Sequence, residues 1–411
     1  MPARRKYDVL IAGAGPAGLA TALYFLRRYP QFAGRVAALE KARHPRFKVC
    51  AGGLIPKTMI ALDELGLELE VPAIEVFRGA ARTEVGVAEL DGGGAPLCTI
   101  VRRDQFDARL ARAARAVGLE IVEDARVLSV EQGSDGVRIE TGQGNFEGAM
   151  LVGADGAGSR VRTELFGRRK EAVGRALMID TAVDAADAVE FTQRLYRFDF
   201  NCVRSGIRGY SWSFPCLIDG RPHLNIGIYD QCPREPVEPG QSKRRLVDEL
   251  EIAFPEIDFR AVGKSTPAYK AFAIRWYDAD ECYAKGRTLL AGDAAGVDPL
   301  MGEGISYAFE HGKLAAHWIA RFLGGDASAI QSYGDALHHG TAGRKLRRLA
   351  FAARRFYGPH HRLYFKIAGL SRRAQEIGLD WYNGVGRLDE ASTLGVIAKW
   401  ISAVLFGSAV R

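Results

Sequence analysis

The sequence predicts an α/β fold interleaved with an α+β part, followed by a helical C-terminal region. Three observations predict it. A strand, a glycine loop and a helix open the chain within residues 7–29. Long alternating apolar–polar runs fill 175–230 and read as an antiparallel sheet. Beyond about residue 326 the pattern is helical only. At 411 residues the chain exceeds the usual size of one core, so more than one domain is expected.

Residues 7–12 form a short apolar run rich in branched side chains, which reads as a buried strand. Gly13, Gly15 and Gly18 follow in G-x-G-x-x-G spacing, with Pro16 and Ala17 inside the motif, and open an amphipathic helix. Gly13 permits a tight turn. Gly15 lets a pyrophosphate approach bare backbone, and Gly18 lets the helix pack on the strand. The helix N-terminus offers unpaired N–H groups to phosphates. A second strand over 35–39 ends in Glu40, where an acid grips a ribose hydroxyl, with Lys41 beside it. Together these make a Rossmann-like dinucleotide-binding unit.

Residues 41–57 form a loop broken by proline and glycine, carrying Cys50, Ala51, Gly52 and Gly53. Two glycines beside a lone cysteine suit close approach of backbone to a flat ligand. Cys50 also fits a small buried hydrophobe. A periodic helix follows Arg103, with Asp104 as its expected N-cap and Arg103 in reach of a phosphate. Strands are expected over 120–122, 127–131 and 137–140. Then 150–155 reads as a strand ending in Asp155 at the edge where open α/β sheets bind ligands. In the antiparallel part, strands are expected over 189–199, 209–215 and 223–229. Tyr210, Trp212 and Phe214 share one face just before Pro215, and periodicity alone favours core over pocket. Residues 288–305 return to a strand, a turn with Asp293 and a turn through Gly302, Gly304 and Ile305. Helices are expected over 305–323, 327–355, 360–375 and 390–405.

Composition narrows the classes. The chain is 47% hydrophobic and 26% charged, which is globular. Its six cysteines form no C-x-x-C pair, against a disulfide scaffold or metal site and in favour of a reducing, cytoplasmic setting. No apolar run reaches the length of a spanning helix. The net charge is +7, yet residues 341–373 hold ten Lys/Arg and no Asp/Glu, so the remainder is slightly acidic. That stretch suits peripheral contact with an anionic membrane at its inner face, or a solvated basic face. Nothing else resembles a nucleic-acid module.

Three elements stand in order: Gly13-x-Gly15-x-x-Gly18 with Glu40, Gly153-Ala-Asp155-Gly156, and Gly292-Asp293-Ala-Ala-Gly296. Over roughly 7–325 the chain resembles flavoproteins of the p-hydroxybenzoate hydroxylase-like fold. Within them it looks most like the geranylgeranyl reductase family. The carrying residues are the 45–56 loop around Cys50, Arg103-x-x-Phe106-Asp107, Tyr210-x-Trp212-x-Phe214-Pro215 and Pro299-x-x-Gly302-Glu303-Gly304-Ile305. The departure is Ala51, where the family has Cys-Gly-Gly.

The resemblance implies bound FAD, with Gly13, Gly15, Pro16, Ala17, Gly18, Glu40 and Lys41 around its ADP half. It implies Arg103, Asp155 and Asp293 near the pyrophosphate–ribityl part, and Cys50, Ala51, Gly302, Gly304 and Ile305 by the ring. It turns Gly53, Tyr210, Trp212, Phe214 and Pro215 into the wall of a greasy substrate tunnel. The implied reaction is reduction of carbon–carbon double bonds in a prenyl lipid or quinone, with Cys50 and Tyr210 as candidate proton donors. With one dinucleotide fingerprint, NAD(P)H must bind transiently or a reduced ferredoxin must supply electrons. The rival is a flavin monooxygenase or halogenase on an aromatic or polyketide-like substrate. The expected division is an FAD-binding domain at 1–72, 100–170 and 265–325, an antiparallel substrate domain at 73–99 and 171–264, and a helical region at 326–411.

Overall fold

A computed structural model describes residues 5–167, 173–231, 241–257, 259, 269–369, 371–384 and the single residues 395, 398 and 402. Cys232 and the helix expected over 390–405 lie outside the described residues, three single positions excepted.

The first sheet has eight strands. Its parallel centre runs in space Thr288–Leu290, Gly144–Gly153, Arg5–Ala12, Val36–Leu39, Glu120–Val122. The second half of Arg5–Ala12 and all of Val36–Leu39 are buried, as expected for strands covered on both faces. The chain leaves Arg5–Ala12 toward one neighbour and later returns on its other side, so the strand order reverses there. Open α/β sheets bind ligands at the carboxyl ends of such strands. The helices Pro16–Arg28 and Ile305–Leu323 pack together.

The second sheet has seven strands, in the order Lys270–Arg275, Val173–Ala182, Arg221–Asp230, Gly209–Ile218, Leu195–Asp199, Arg78–Thr83, Gly86–Asp91. All pairs are antiparallel except Leu195–Asp199 with Arg78–Thr83. The first sheet resumes at Ala284–Lys285. Gly53–Leu54, Cys98–Val101 and Ala73–Val76 form a separate three-stranded sheet, in that spatial order.

Three local expectations are corrected. Residues 189–199 are not one strand: Val189–Thr192 is helical and the strand is Leu195–Asp199. The Glu190 carboxylate is turned inward, accepting from Ser213 Oγ at 2.6 Å and Arg197 Nε at 2.7 Å. That tertiary contact overrides the alternation. The helix after Val101 is Arg103–Ala116 with Arg102 as N-cap, so Asp104 falls in the first turn, where its charge still suits the helix dipole. The expected helix over 327–355 is two, Ala329–His339 and Thr341–Phe356, divided at Gly340. Likewise 360–375 divides into His361–Gly369 and Arg372–Asn383.

Candidate active site

At the nucleotide end, Gly13 has φ +98°, and a Cβ there would lie 2.4 Å from the Ala154 carbonyl oxygen. A Cβ on Gly18 would lie 2.1 Å from the Gly13 carbonyl oxygen. Both positions therefore require glycine. The helix Pro16–Arg28 has Gly15 as N-cap and no side-chain cap, which leaves first-turn amides for an anion. Glu40 is buried. Its carboxylate accepts from the Ala14 amide at 3.0 Å and the Ala42 amide at 3.2 Å, which ties the glycine loop to the second strand. Lys41 is exposed at the rim.

Arg103 is buried and bidentate to Asp107, at 2.8 and 3.0 Å. Arg46, absent from the sequence expectations, reaches Asp107 at 3.3 Å and Glu40 at 3.5 Å. Two arginines thus share one buried acid on the wall of the cleft. Cys50 is half-buried, accepts from the Gly52 amide at 3.4 Å and lies against the Arg103 guanidinium. Asp155 lines the cleft, but its oxygens accept from Ser159 Oγ at 2.5 Å and the Arg160 amide at 2.6 Å. It caps the helix Arg160–Leu165 and shapes the turn.

The turn after Thr288–Leu290 is held from behind. The Gly292 amide donates to Nδ1 of the buried His311 at 3.1 Å, and burial lowers that imidazole from the ordinary 6.5 to about 4. The Asp293 carboxylate next to it has no hydrogen-bond partner among the described residues. Gly302, Gly304 and Ile305 follow on the same wall. Asp298 braces this segment, accepting from the Leu300 amide at 2.6 Å, the Met301 amide at 3.1 Å and the Tyr382 hydroxyl at 2.9 Å. Burial raises its carboxyl to about 6.

The opposite wall is aromatic. Tyr210, Trp212 and Phe214 face the cavity with Tyr196 and Phe198, with ring centroids 5.1–6.1 Å apart for the contacting pairs. The Tyr210 hydroxyl donates to the Met301 carbonyl, and Trp212 Nε1 donates to Asn225 Oδ1 at 2.8 Å. Tyr229 pairs with Tyr210 across the strands. It is 1% exposed, and its hydroxyl has no partner among the described residues. Pro215 is buried but is not among the cavity-lining residues.

These walls enclose one continuous cavity of about 1000 Å³, at the upper end for ligand pockets. It runs from Gly13, Gly15, Pro16 and Ala17, past Cys50, Ala51 and Gly53, to the aromatic wall. Gly18 supports the loop from outside it. Phe351, Tyr364 and Ile367, from the basic C-terminal stretch that the sequence offers for membrane contact, also line it. Lys48 was missed as well, although its loop was singled out.

A single glycine loop at the reversal of a parallel sheet, opening into an aromatic cavity, defines a nucleotide-cofactor oxidoreductase. The residues fit FAD: bare helix amides, a free carboxylate at Asp293, and a glycine turn at 302–304 where a Cβ on Gly304 would come within 3.0 Å of Asp293 Oδ1. The family model described as "FAD binding domain" matches residues 6–339, and the chain belongs to that family. It is an FAD-dependent oxidoreductase. It is 30% identical over 328 residues to a menaquinone reductase of Mycolicibacterium smegmatis, covering 76% of each chain. It is 29% identical over 349 residues to digeranylgeranylglycerophospholipid reductase 1 of Methanococcoides burtonii, covering 78% of this chain and 76% of that one. In fold it is similar to a geranylgeranyl bacteriochlorophyll reductase-like protein of Thermoplasma acidophilum, with TM-score 0.73, 18% identity and coverage of 99% and 100%.

Proposed function

We propose that the protein reduces carbon–carbon double bonds in the prenyl chain of a lipid or quinone. The observation that carries this is the single cavity, which joins the nucleotide groove to an aromatic wall and continues to the C-terminal helices. Reductases of a prenylated phospholipid and of menaquinone among its relatives support the same class. When bound, FAD supplies hydride.

The chain's own residues bind, orient and protect. Glu40, Arg103 and Asp293 hold the cofactor. Trp212, Phe214 and Tyr196 lay an apolar chain along the wall and exclude water, which otherwise competes for protons and reactive species. Tyr210 commits its proton to the Met301 carbonyl, so we assign it to holding the turn by which the ring sits. Cys50, and Tyr229 with its unpartnered hydroxyl, are the groups on this wall able to give the balancing proton. Electrons enter from NAD(P)H binding transiently or from a reduced ferredoxin.

The basic helix Thr341–Phe356 lines the cavity with Phe351, which is 50% exposed, and Leu363 on the next helix is 55% exposed. Exposed apolar side chains among Arg354, Arg355 and Arg362 suit an anionic membrane from which the substrate is drawn. The protein would work peripherally. Among the described residues, no helix is long and apolar enough to cross a membrane.

The test is anaerobic reduction of the FAD-loaded protein, followed by mixing with geranylgeranyl lipid or menaquinone. Flavin reoxidation with gain of two hydrogens per double bond supports the reading. No response to either, with rapid consumption of oxygen and oxygen insertion into an aromatic substrate, sinks it.

A further inference from the structure

Three cations stand on the cleft wall around Cys50: Arg46, Lys48 and Arg103. Two are paired. Arg46 contacts Glu40 and Asp107, and Arg103 forks onto Asp107. Lys48 has neither a hydrogen bond nor an ion pair among the described residues. Its ammonium instead sits over the Phe272 ring, 3.0 Å from the centroid. Of the charges that act on it, Asp293 and the Cys50 thiol group attract, and Arg103 and Arg46 repel.

An ammonium in this position is costly. It is desolvated by burial, two guanidiniums repel it, and among the described residues a ring face stands in place of a hydrogen-bond or ion-pair partner. Burial lowers its proton affinity to about 8, with the neighbouring arginines adding to the effect. A cation held without a partner inside a ligand cavity is complementary to an anion that arrives later. Its place narrows which anion. Lys48 stands where the nucleotide groove, marked by Arg103 and Asp293, meets the aromatic space, marked by Phe272. An anion buried at that junction belongs to the reacting end of the cofactor. The phosphates belong at the Gly13–Gly18 loop, where the already paired Arg46 comes close to Gly15.

We propose that Lys48 is the counter-charge for the reduced, monoanionic form of FAD and favours it over the oxidised form. A hydride from the nicotinamide, or two electrons from an iron–sulfur donor with one proton from solvent, turns the neutral oxidised ring into a monoanion. Lys48 keeps its own proton throughout and forms no bond. Charge near the ring is one of the protein's means of tuning a flavin. The inference rests on FAD binding alone, not on the prenyl substrate. A failure to reduce prenyl lipids would leave it standing.

The test is the two-electron midpoint potential of the FAD-loaded protein and of Lys48→Met and Lys48→Gln, with FAD affinity measured alongside. The neutral variants should hold oxidised FAD as wild type does. They should bind reduced relative to oxidised FAD at least tenfold less well, a potential lower by about 30 mV. A neutral variant with bound FAD and the wild-type potential overturns the proposal. So does loss of oxidised FAD from a folded variant, which would make Lys48 a general binding residue. A raised KM for an anionic lipid at unchanged potential would assign it to the substrate instead. If neither neutral variant folds, Lys48→Arg decides. Retained charge predicts a ratio within threefold of wild type, and a tenfold loss overturns the assignment.

Discussion

The Tyr210 hydroxyl donates to the Met301 carbonyl, which ties the aromatic strand of one sheet to the glycine turn of the other. The two residues are ninety-one positions apart in the chain. Both residues line the cavity. Tyr210→Phe should lower stability by about 1 kcal/mol, the usual net worth of such a bond. It should loosen the 301–304 turn, so FAD should dissociate faster. Thermal melts with and without FAD and the FAD off-rate check this. An unchanged off-rate would separate Tyr210 from the turn.

Glu40 holds the Ala14 and Ala42 amides, and on the proposed reading it would also accept from a ribose hydroxyl of FAD. Glu40→Ala should weaken FAD binding at least tenfold, in line with about 1.5–3 kcal/mol for hydrogen bonds to charged groups. Fluorescence titration of the apoprotein reads this directly.

Asp107 is the one acid shared by Arg46 and Arg103. Asp107→Ala leaves the buried Arg103 without its carboxylate and Arg46 with Glu40 alone, and should cost about 3–5 kcal/mol in the apoprotein. On the proposed reading, the pyrophosphate of FAD would restore negative charge to that wall. The loss should therefore be smaller with FAD bound, and denaturant melts of both forms compare them. Equal losses would place the phosphates elsewhere.

Two buried groups give stability opposite pH dependences. His311 has its folded value lowered to about 4, so the unfolded chain binds the extra proton between about 4 and 6.5, and stability is lost as pH falls through that window. Asp298 is raised from 3.8 to about 6, so the folded chain binds the extra proton there, and its contribution is lost as pH rises through that window. Each slope is bounded by about 1.4 kcal/mol per pH unit. His311→Asn should flatten the acid-side loss, and Asp298→Asn the opposing term. Urea melts from pH 4 to 7 would show a His311→Asn curve parallel to wild type if the assignment is wrong.

Arg354 is exposed, and Arg355 lies over the Phe351 ring at 3.4 Å. Arg354→Gln and Arg355→Gln with Phe351→Ser should reduce sedimentation with anionic vesicles several-fold at low salt and leave FAD content unchanged. Equal sedimentation would make this a solvated basic face.

The glycine loop with Glu40 was legible because it is local. A strand, a turn that only glycine can make and a bare helix end follow from adjacent residues. The shared face of Tyr210, Trp212 and Phe214 was legible from the two-residue period of a strand, but whether that face was core or cavity was not. The inward turn of Glu190, which breaks the expected strand, is set by Ser213 and Arg197 and has no local signal.

By itself, then, the sequence determined the cofactor class, the parallel sheet with its glycine turn, and the aromatic strand, because each depends on backbone geometry and periodicity within a few residues. Only the tertiary structure decided that Arg46 and Arg103 share Asp107 while Lys48 stands unpaired. It also decided that Tyr210 grips Met301 and that the C-terminal helices bring Phe351 and Tyr364 to the same cavity. Those relations join side chains from four or more separate stretches. Packing sets charge balance and cavity shape, and no single stretch of the chain carries either.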